Sequence, residues 1–159
     1  MPTLESEQLF PVSYTPRVLV VDDEPTPRSG VCRMVRGMGY EVHAVGDGRD
    51  ALRYLQQHPG EVRLLLADLV LPLMDGGELA ERARDLEPGI RVVLMVSSPS
   101  GGAVADLLAG YRDLPLLWKP VAFDRLYELL VGQLGAPQPG GARPRPSRPI
   151  LFRDRAPRP

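Results

Sequence analysis

The sequence predicts an α/β domain built around a parallel β-sheet. Between Arg17 and Gly135, short apolar runs alternate with segments of helical periodicity about five times, which is typical of a parallel sheet with helices on its faces. Several apolar runs lack polar alternation, as expected of strands that helices cover on both sides. Residues 1–16 are then an N-terminal extension, residues 17–135 form the domain, and residues 136–159 form a tail.

Five strands and five helices account for these patterns. The predicted strands are Val18–Val21, Glu41–Ala44, Arg63–Ala67, Val92–Val96 and Leu114–Trp118. The helices are predicted from apolar residues at helical spacing, which form buried faces and imply no cofactor. In chain order these residues are Val31, Met34, Val35 and Met38; Ala51, Leu52 and Leu55; Leu79, Ala83 and Leu86; Val104, Leu107, Leu108 and Tyr111; and Phe123, Leu126, Leu130 and Leu134.

Capping residues indicate where three of these helices begin. Thr26 and Pro27 offer an N-cap and a first helical residue for the first helix, since proline at that position loses no hydrogen bond. Asp47 and Asp75 can cap the second and third helices, and Gly39 follows the end of the first.

Composition and charge exclude several classes of protein. No apolar run approaches the ~18 residues of a membrane-spanning helix, and residues 1–16 lack the features of a secretory signal. We therefore expect a cytoplasmic protein that contacts no membrane. Cys32 is the only cysteine, which rules out an internal disulfide and fits a reducing compartment.

The net charge of −1 hides an uneven distribution. Residues 136–159 hold six arginines and one aspartate, so residues 1–135 hold 13 basic and 19 acidic residues, a charge of −6. A folded domain this acidic is not expected to bind nucleic acid. The tail is rich in Pro, Gly and Arg, which predicts disorder, and Ile150–Phe152 is its one apolar segment.

Chemically reactive side chains follow four of the predicted strands. Asp22 and Asp23 follow the first strand, Asp68 the third, Ser97 the fourth and Lys119 the fifth. Ligands bind at the carboxyl ends of the strands in an open parallel sheet. We therefore expect these five side chains to converge on one edge.

Taken singly, each of these residues has an ordinary explanation, because aspartate and serine often cap helices and lysine is often solvated. Lys119 is also the only lysine beside 18 arginines, which reflects either compositional bias or a site that requires a compact ammonium group. Clustered carboxylates repel one another unless a cation lies among them, and oxygen ligands suit Mg²⁺. Asp68 could then attack a phosphoryl group while Lys119 offsets the negative charge on the transferred oxygens.

No competing nucleophilic site is apparent in the sequence. There is no G-x-x-x-x-G-K-[ST] loop, one cysteine makes no metal site, and His43 and His58 are expected to lie outside the cluster.

Four motifs occur in order along the chain: V-V-D-D-E-P at Val20–Pro25, D-L-V-L-P-L-M-D-G at Asp68–Gly76, a hydroxyl at Ser97 after V-V-L-M-V, and K-P at Lys119–Pro120. Their order and spacing resemble the receiver domain of two-component response regulators over roughly residues 17–134. The resemblance implies a flavodoxin-like (βα)5 fold, a doubly wound sheet of five parallel strands in the order 2-1-3-4-5.

The resemblance also implies a role for each matching residue. Asp68 corresponds to the phosphoacceptor and Lys119 to the phosphate-binding lysine, and the bond before Pro120 is often cis in this family. The Mg²⁺ ligands of the family correspond to Asp22, Asp23, Asp68 and the backbone carbonyl of Val70. The switch hydroxyl corresponds to Ser97.

The sequence departs from the family pattern at three positions. Leu116 replaces an aromatic residue that often lies three residues before the lysine, so we expect the usual aromatic signal to be altered. Val70 and Pro99 replace polar residues that often lie near the phosphate. A polar side chain there can orient an attacking water, so we expect slow self-dephosphorylation.

The resulting functional hypothesis is a stand-alone receiver, since no output domain follows in the sequence. A histidine kinase or a histidine phosphotransfer protein would phosphorylate it, and as a monomer or weak dimer it would signal to an unknown downstream protein. It would not be an enzyme that turns over a substrate. One alternative is a pseudo-receiver scaffold that works without phosphorylation. Another is a haloacid-dehalogenase-type phosphatase with Asp22 as the nucleophile, although that motif requires D-x-D and Asp22–Glu24 provides D-x-E.

Overall fold

A computed structural model of the 159-residue chain describes residues 15–98 and 102–137. The described residues form five strands: β1 (Arg17–Val21), β2 (Glu41–Val45), β3 (Val62–Asp68), β4 (Arg91–Val96) and β5 (Leu116–Trp118). Five helices alternate with them: α1 (Pro25–Gly37), α2 (Gly48–Gln57), α3 (Gly76–Leu86), α4 (Gly102–Gly110) and α5 (Phe123–Leu134).

All strand pairs are parallel, and the sheet order is β2-β1-β3-β4-β5. This confirms the predicted flavodoxin-like doubly wound fold and its strand order. β2 lies on one side of β1, and β3, β4 and β5 follow on the other side, so the order in which strands are added to the sheet reverses at β1. The carboxyl ends on either side of such a switch point border a crevice, which is where the reactive side chains lie.

Two apolar cores pack against opposite faces of the sheet. On one face, Leu19 and Val21 of β1 face residues from α2 and α3. On the other, Val18 and Val20 face α1 and α5, including the fully buried Leu126 and Leu130. Burying one such leucine contributes about 1.5–3 kcal/mol, so both layers of helices hold the central strands in place.

Two predicted boundaries are wrong. The N-cap of α1 is Glu24 and its first residue is Pro25, two residues before the predicted Thr26 and Pro27. The helix includes Pro27 at no cost, because the first backbone N–H groups of a helix have no partner within it. β5 begins at Leu116 and not at Leu114, since Pro115 has no N–H to donate to the strand ladder.

The other boundaries differ from the predictions by one residue at most. Asp47 and Asp75 cap α2 and α3 as predicted, because their side chains accept from the backbone N–H groups of Asp50 and Glu78 at 2.8 Å. Gly39 follows α1 with a positive φ of 97°. The N-terminal extension apart from its last two residues, Pro99 and the tail beyond Pro137 lie outside the described residues.

Among the described helices, none combines the length and the apolar character that crossing a membrane requires.

Candidate functional site

Three carboxylates meet at the carboxyl edge of the sheet. Asp22 and Asp23 follow β1, and Asp68 ends β3. Because Val21 pairs with Ala67 in the parallel register, the residues that follow each of them become neighbours. Carboxylate oxygens of the three aspartates lie within 4.8 Å of one another. Asp22 and Asp68 are buried, whereas Asp23 is exposed.

The ammonium group of Lys119 bridges the two buried carboxylates. Its Nζ donates to Asp22 Oδ2 and to Asp68 Oδ2, each at 2.7 Å. Lys119 directly follows β5, and its backbone N–H donates to the carbonyl of Val96 at 2.8 Å. The bond between Lys119 and Pro120 is cis. The side chain of Lys119 is therefore a half-buried part of the site and not a solvated surface charge.

The second oxygen of each buried carboxylate accepts from the backbone. Asp22 Oδ1 accepts from the N–H of Glu24 at 3.0 Å, and Asp68 Oδ1 accepts from the N–H of Val70 at 3.4 Å. Arg28 donates from Nη1 to the backbone carbonyl of Asp22 at 2.8 Å. These bonds fix both carboxylates at the start of the loops that carry them.

The ionisation of Asp68 and Lys119 is coupled. Burial raises the pKa of Asp68, and the nearby charge of Asp22 raises it further, while the hydrogen bond and charge of Lys119 oppose the rise. For Lys119, burial lowers the pKa, but the hydrogen bonds and charges of Asp22 and Asp68 outweigh burial and raise it overall. Lys119 therefore stays protonated and supplies positive charge to the site.

The donor set fits a divalent cation. Three carboxylates and one ammonium group leave a formal charge of −2, which a divalent ion would neutralise. Carboxylate oxygens suit Mg²⁺, which commonly binds through one or two carboxylates and keeps several waters. The exposed Asp23 leaves one side of the cluster open to solvent.

The structure places the remaining predicted site residues nearby. Ser97 is exposed directly after β4 and shares a groove with Lys119. Val70 lies two residues after Asp68 and is 54% exposed. His43 and His58 lie elsewhere, as predicted, stacked on opposite sides of Tyr54 with ring centroids 3.8 and 4.0 Å from it.

The sequence prediction missed Gly76 as a residue that shapes the site. The backbone N–H of Gly76 donates to the carbonyl of Leu69 at 2.8 Å, which closes the loop after Asp68. A Cβ at this position would overlap the backbone carbonyl oxygen of Asp68. The signal in the sequence was the pair Gly76–Gly77 at the start of a helix, where glycine is unfavourable without a specific reason.

Comparison with known proteins gives a family and several relatives. The family model of the response regulator receiver domain matches residues 18–131. The sensor kinase CckA of Brucella abortus (strain 2308) is 32% identical over 120 residues, which are 76% of this chain and 13% of the kinase. The response regulator receiver protein CpdR of the same organism is 33% identical over 104 residues, 65% of this chain and 84% of CpdR. The chain thus spans a small part of the kinase and most of CpdR.

Solved structures agree with the fold. The receiver domain of the hybrid histidine kinase CckA has a TM-score of 0.61 at 32% identity, covering 74% of this chain and 98% of that one. The chemotaxis protein CheY4 of Vibrio cholerae has a TM-score of 0.64 at 24% identity, covering 76% and 99%, and supports the fold alone. With the family match over most of the domain, these results show that the chain belongs to the response regulator receiver domain family of two-component systems.

Proposed function

We propose that this chain is a phospho-receiver in which Asp68 accepts a phosphoryl group from a histidine kinase or a histidine phosphotransfer protein. The observation that carries this proposal is the Lys119 ammonium group held 2.7 Å from the carboxylates of both Asp22 and Asp68. Aspartate phosphorylation and Mg²⁺ binding are typical of the receiver family to which the chain belongs.

The arrangement suits in-line phosphoryl transfer. An oxygen of Asp68 attacks the phosphorus of the phosphohistidine, an O–P bond forms, the P–N bond breaks, and the imidazole nitrogen keeps the bonding electrons. Lys119 keeps its hydrogen bond to Asp22 and donates its other N–H groups to the transferred oxygens. The hydroxyl of Ser97 donates to another of these oxygens. Asp22, Asp23, Asp68 and the backbone carbonyl of Val70 would hold Mg²⁺, which would supply further positive charge at the transferred group.

The two alternatives are less well supported. A phosphatase with Asp22 as its nucleophile is disfavoured because the side chain of Asp22 is completely buried, whereas that of Asp68 is partly exposed. A scaffold that works without phosphorylation has no need of three adjacent carboxylates, since their mutual repulsion destabilises the fold. Turnover of a generic phosphate ester would distinguish the phosphatase, because a receiver should lack it.

We further propose that the protein acts alone in the cytoplasm, as a monomer or weak dimer, and signals through protein contacts. Its similarity to CpdR over 84% of that receiver protein supports independent action. The folded domain is expected to bind neither nucleic acid nor membranes, because its charge is negative.

The test is intact-mass analysis after incubation with acetyl phosphate and Mg²⁺. The wild-type chain should gain one phosphoryl group and Asp68→Asn should gain none. Asp50→Asn is the control, because Asp50 lies on α2 and pairs with Arg53 away from the site. Phosphorylation of Asp68→Asn, or its absence from wild type, would contradict the proposal.

A further inference from the structure

An apolar groove of about 430 Å³ lies between α1 and the segment that follows β5. Ser97 and Lys119 of the candidate site line one part of it. The other lining residues are apolar or lack a side chain: Pro27, Gly30, Val31, Met34, Pro120 and Val121. An apolar groove of this volume is large enough to hold apolar side chains.

The described chain ends close to the far end of α1. The carbonyl of Gly135 accepts a hydrogen bond from the Tyr40 hydroxyl at 2.7 Å, and Pro137 packs against Gly39, where a Cβ would come within 3.3 Å of it. Gly39 lies two residues beyond the end of α1, and at about 1.5 Å per residue it is roughly 18 Å from Pro27. The segment that follows Pro137 therefore starts near the C-terminal end of α1, and Pro27 lies at the opposite end of that helix.

The segment beyond Pro137 contains a suitable occupant. Ile150–Phe152 is three apolar residues long, and twelve residues separate it from Pro137. A linker of this length can reach about 40 Å when extended, roughly twice the distance required. Because the two parts belong to one chain, docking is intramolecular and is favoured by a high effective concentration.

Charged residues lie on the helices that border the groove and around the apolar segment. Exposed acidic residues lie at the start of α1 and of α5, at Asp23, Glu24 and Asp124. Arg28, a basic residue of α1, donates to the backbone of Asp22 and lines a separate pocket with Cys32 and Arg33. The basic residues that flank the apolar segment are Arg148, Arg153 and Arg155.

From these observations we propose that Ile150–Phe152 of the same chain docks in the groove between α1 and the segment after β5. The apolar side chains of the docked segment cover Val31, Met34 and Val121. The contact goes beyond the proposed function, because it forms whether or not Asp68 is phosphorylated.

The test places a photoreactive benzoylphenylalanine at position 152 of the full-length chain. Irradiation followed by gel electrophoresis and peptide mapping should give a cross-link within one chain, from position 152 to α1 or to Val121. Gly30→Leu should remove this cross-link by filling the groove. Nothing lies within 4 Å of a Cβ at Gly30, and leucine favours a helix over glycine, so this variant should fold.

Gly37→Leu is the matched control. Gly37 also lies on α1 with open space around a Cβ, but it is not part of the groove, so the cross-link should persist. Cross-links between two chains would overturn the proposal and assign the groove to a second copy. A cross-link outside the groove, no cross-link at all, or one that survives Gly30→Leu would also overturn it.

Discussion

The ammonium group of Lys119 lies 2.7 Å from Asp68 Oδ2, although 51 residues separate the two in sequence. The same nitrogen lies 2.7 Å from Asp22 Oδ2, which is 97 residues away. One cation thus joins the ends of β1, β3 and β5. The two ion pairs of Lys119 therefore form part of the candidate site and also hold the ends of these three strands together.

Replacing Lys119 should destabilise the fold. Lys119→Met leaves Asp22 and Asp68 buried without their cation, and breaking a buried ion pair from one side is strongly unfavourable. We expect the free energy of unfolding to fall by about 3 kcal/mol at neutral pH, the lower end for a buried pair, because the Lys119 side chain is partly exposed. Urea denaturation with and without Mg²⁺ measures this, and the loss should be smaller with Mg²⁺. Asp68→Asn/Lys119→Met is the control, and it should lose less than Lys119→Met because one of the two carboxylates is gone.

Removing the exposed carboxylate should weaken Mg²⁺ binding. Asp23→Asn keeps the size of the side chain and removes one of the three charges, so we expect affinity to fall by about tenfold or more. Isothermal titration with MgCl₂ measures the change. Glu24→Gln is a matched control, since Glu24 is the exposed next residue but lies outside the carboxylate cluster. Equal affinities for wild type and Asp23→Asn would argue against Asp23 as a ligand.

The side chain at position 70 should control the lifetime of the phosphorylated state. Val70 is 54% exposed beside Asp68, where its apolar surface cannot orient a water for attack. Val70→Asn should therefore release phosphate faster than wild type. Phosphate release in excess chelator measures the rate. Leu73→Asn is the control, because Leu73 lies on the same loop at 79% exposure and its positive φ of 71° suits asparagine.

Stability should depend on pH through His43. Burial lowers the pKa of His43, and the charges of Arg17 and His58 lower it further. Because the pKa of His43 is lower in the folded protein, the unfolded chain binds more protons than the folded chain at pH values just below the ordinary histidine pKa of about 6.5. Stability is then full above that value and falls as the pH drops towards the folded pKa.

The measurement is urea denaturation at about pH 7.5 and about pH 5.5, on either side of the ordinary histidine pKa. His43→Phe keeps an aromatic ring to stack on Tyr54 but cannot titrate, so it should lose less stability than wild type between the two pH values. Arg17 and the two carboxylates that bind it, Glu41 and Glu61, are the same in both proteins. An identical loss in both would exclude His43 as the source.

Adding a methyl group at Gly76 should destabilise the loop after Asp68. The Cβ of Gly76→Ala would overlap the Asp68 carbonyl and come within 3.0 Å of Leu69 Cα, and backbone atoms cannot move aside cheaply. We expect a loss of about 2 kcal/mol, as for other overpacked sites. Thermal and urea denaturation measure it. Gly37→Ala is the control, and with open space around its Cβ it should leave stability unchanged or raise it slightly.

Local patterns were sufficient to predict the elements but not every boundary. The apolar runs predicted all five strands, and Asp47 and Asp75 were identified as caps because an N-cap depends only on residues three positions apart. The start of α1 was misplaced because both Pro25 and Pro27 satisfy the local requirement for a first helical residue. β5 was predicted two residues too long, since an apolar run continues across Pro115 while the hydrogen-bond ladder does not.

The sequence by itself determined the α/β class, the two layers of core residues and the order of Asp22, Asp68 and Lys119 along the chain, because periodicity and strand ends are local properties. Only the tertiary structure decided that one ammonium group bridges two carboxylates, that Gly76 has no room for a side chain, and that an open apolar groove adjoins the site. These features depend on distances between segments far apart in sequence, and such distances are set by the register of β1, β3 and β5 and by the packing of helices on the sheet.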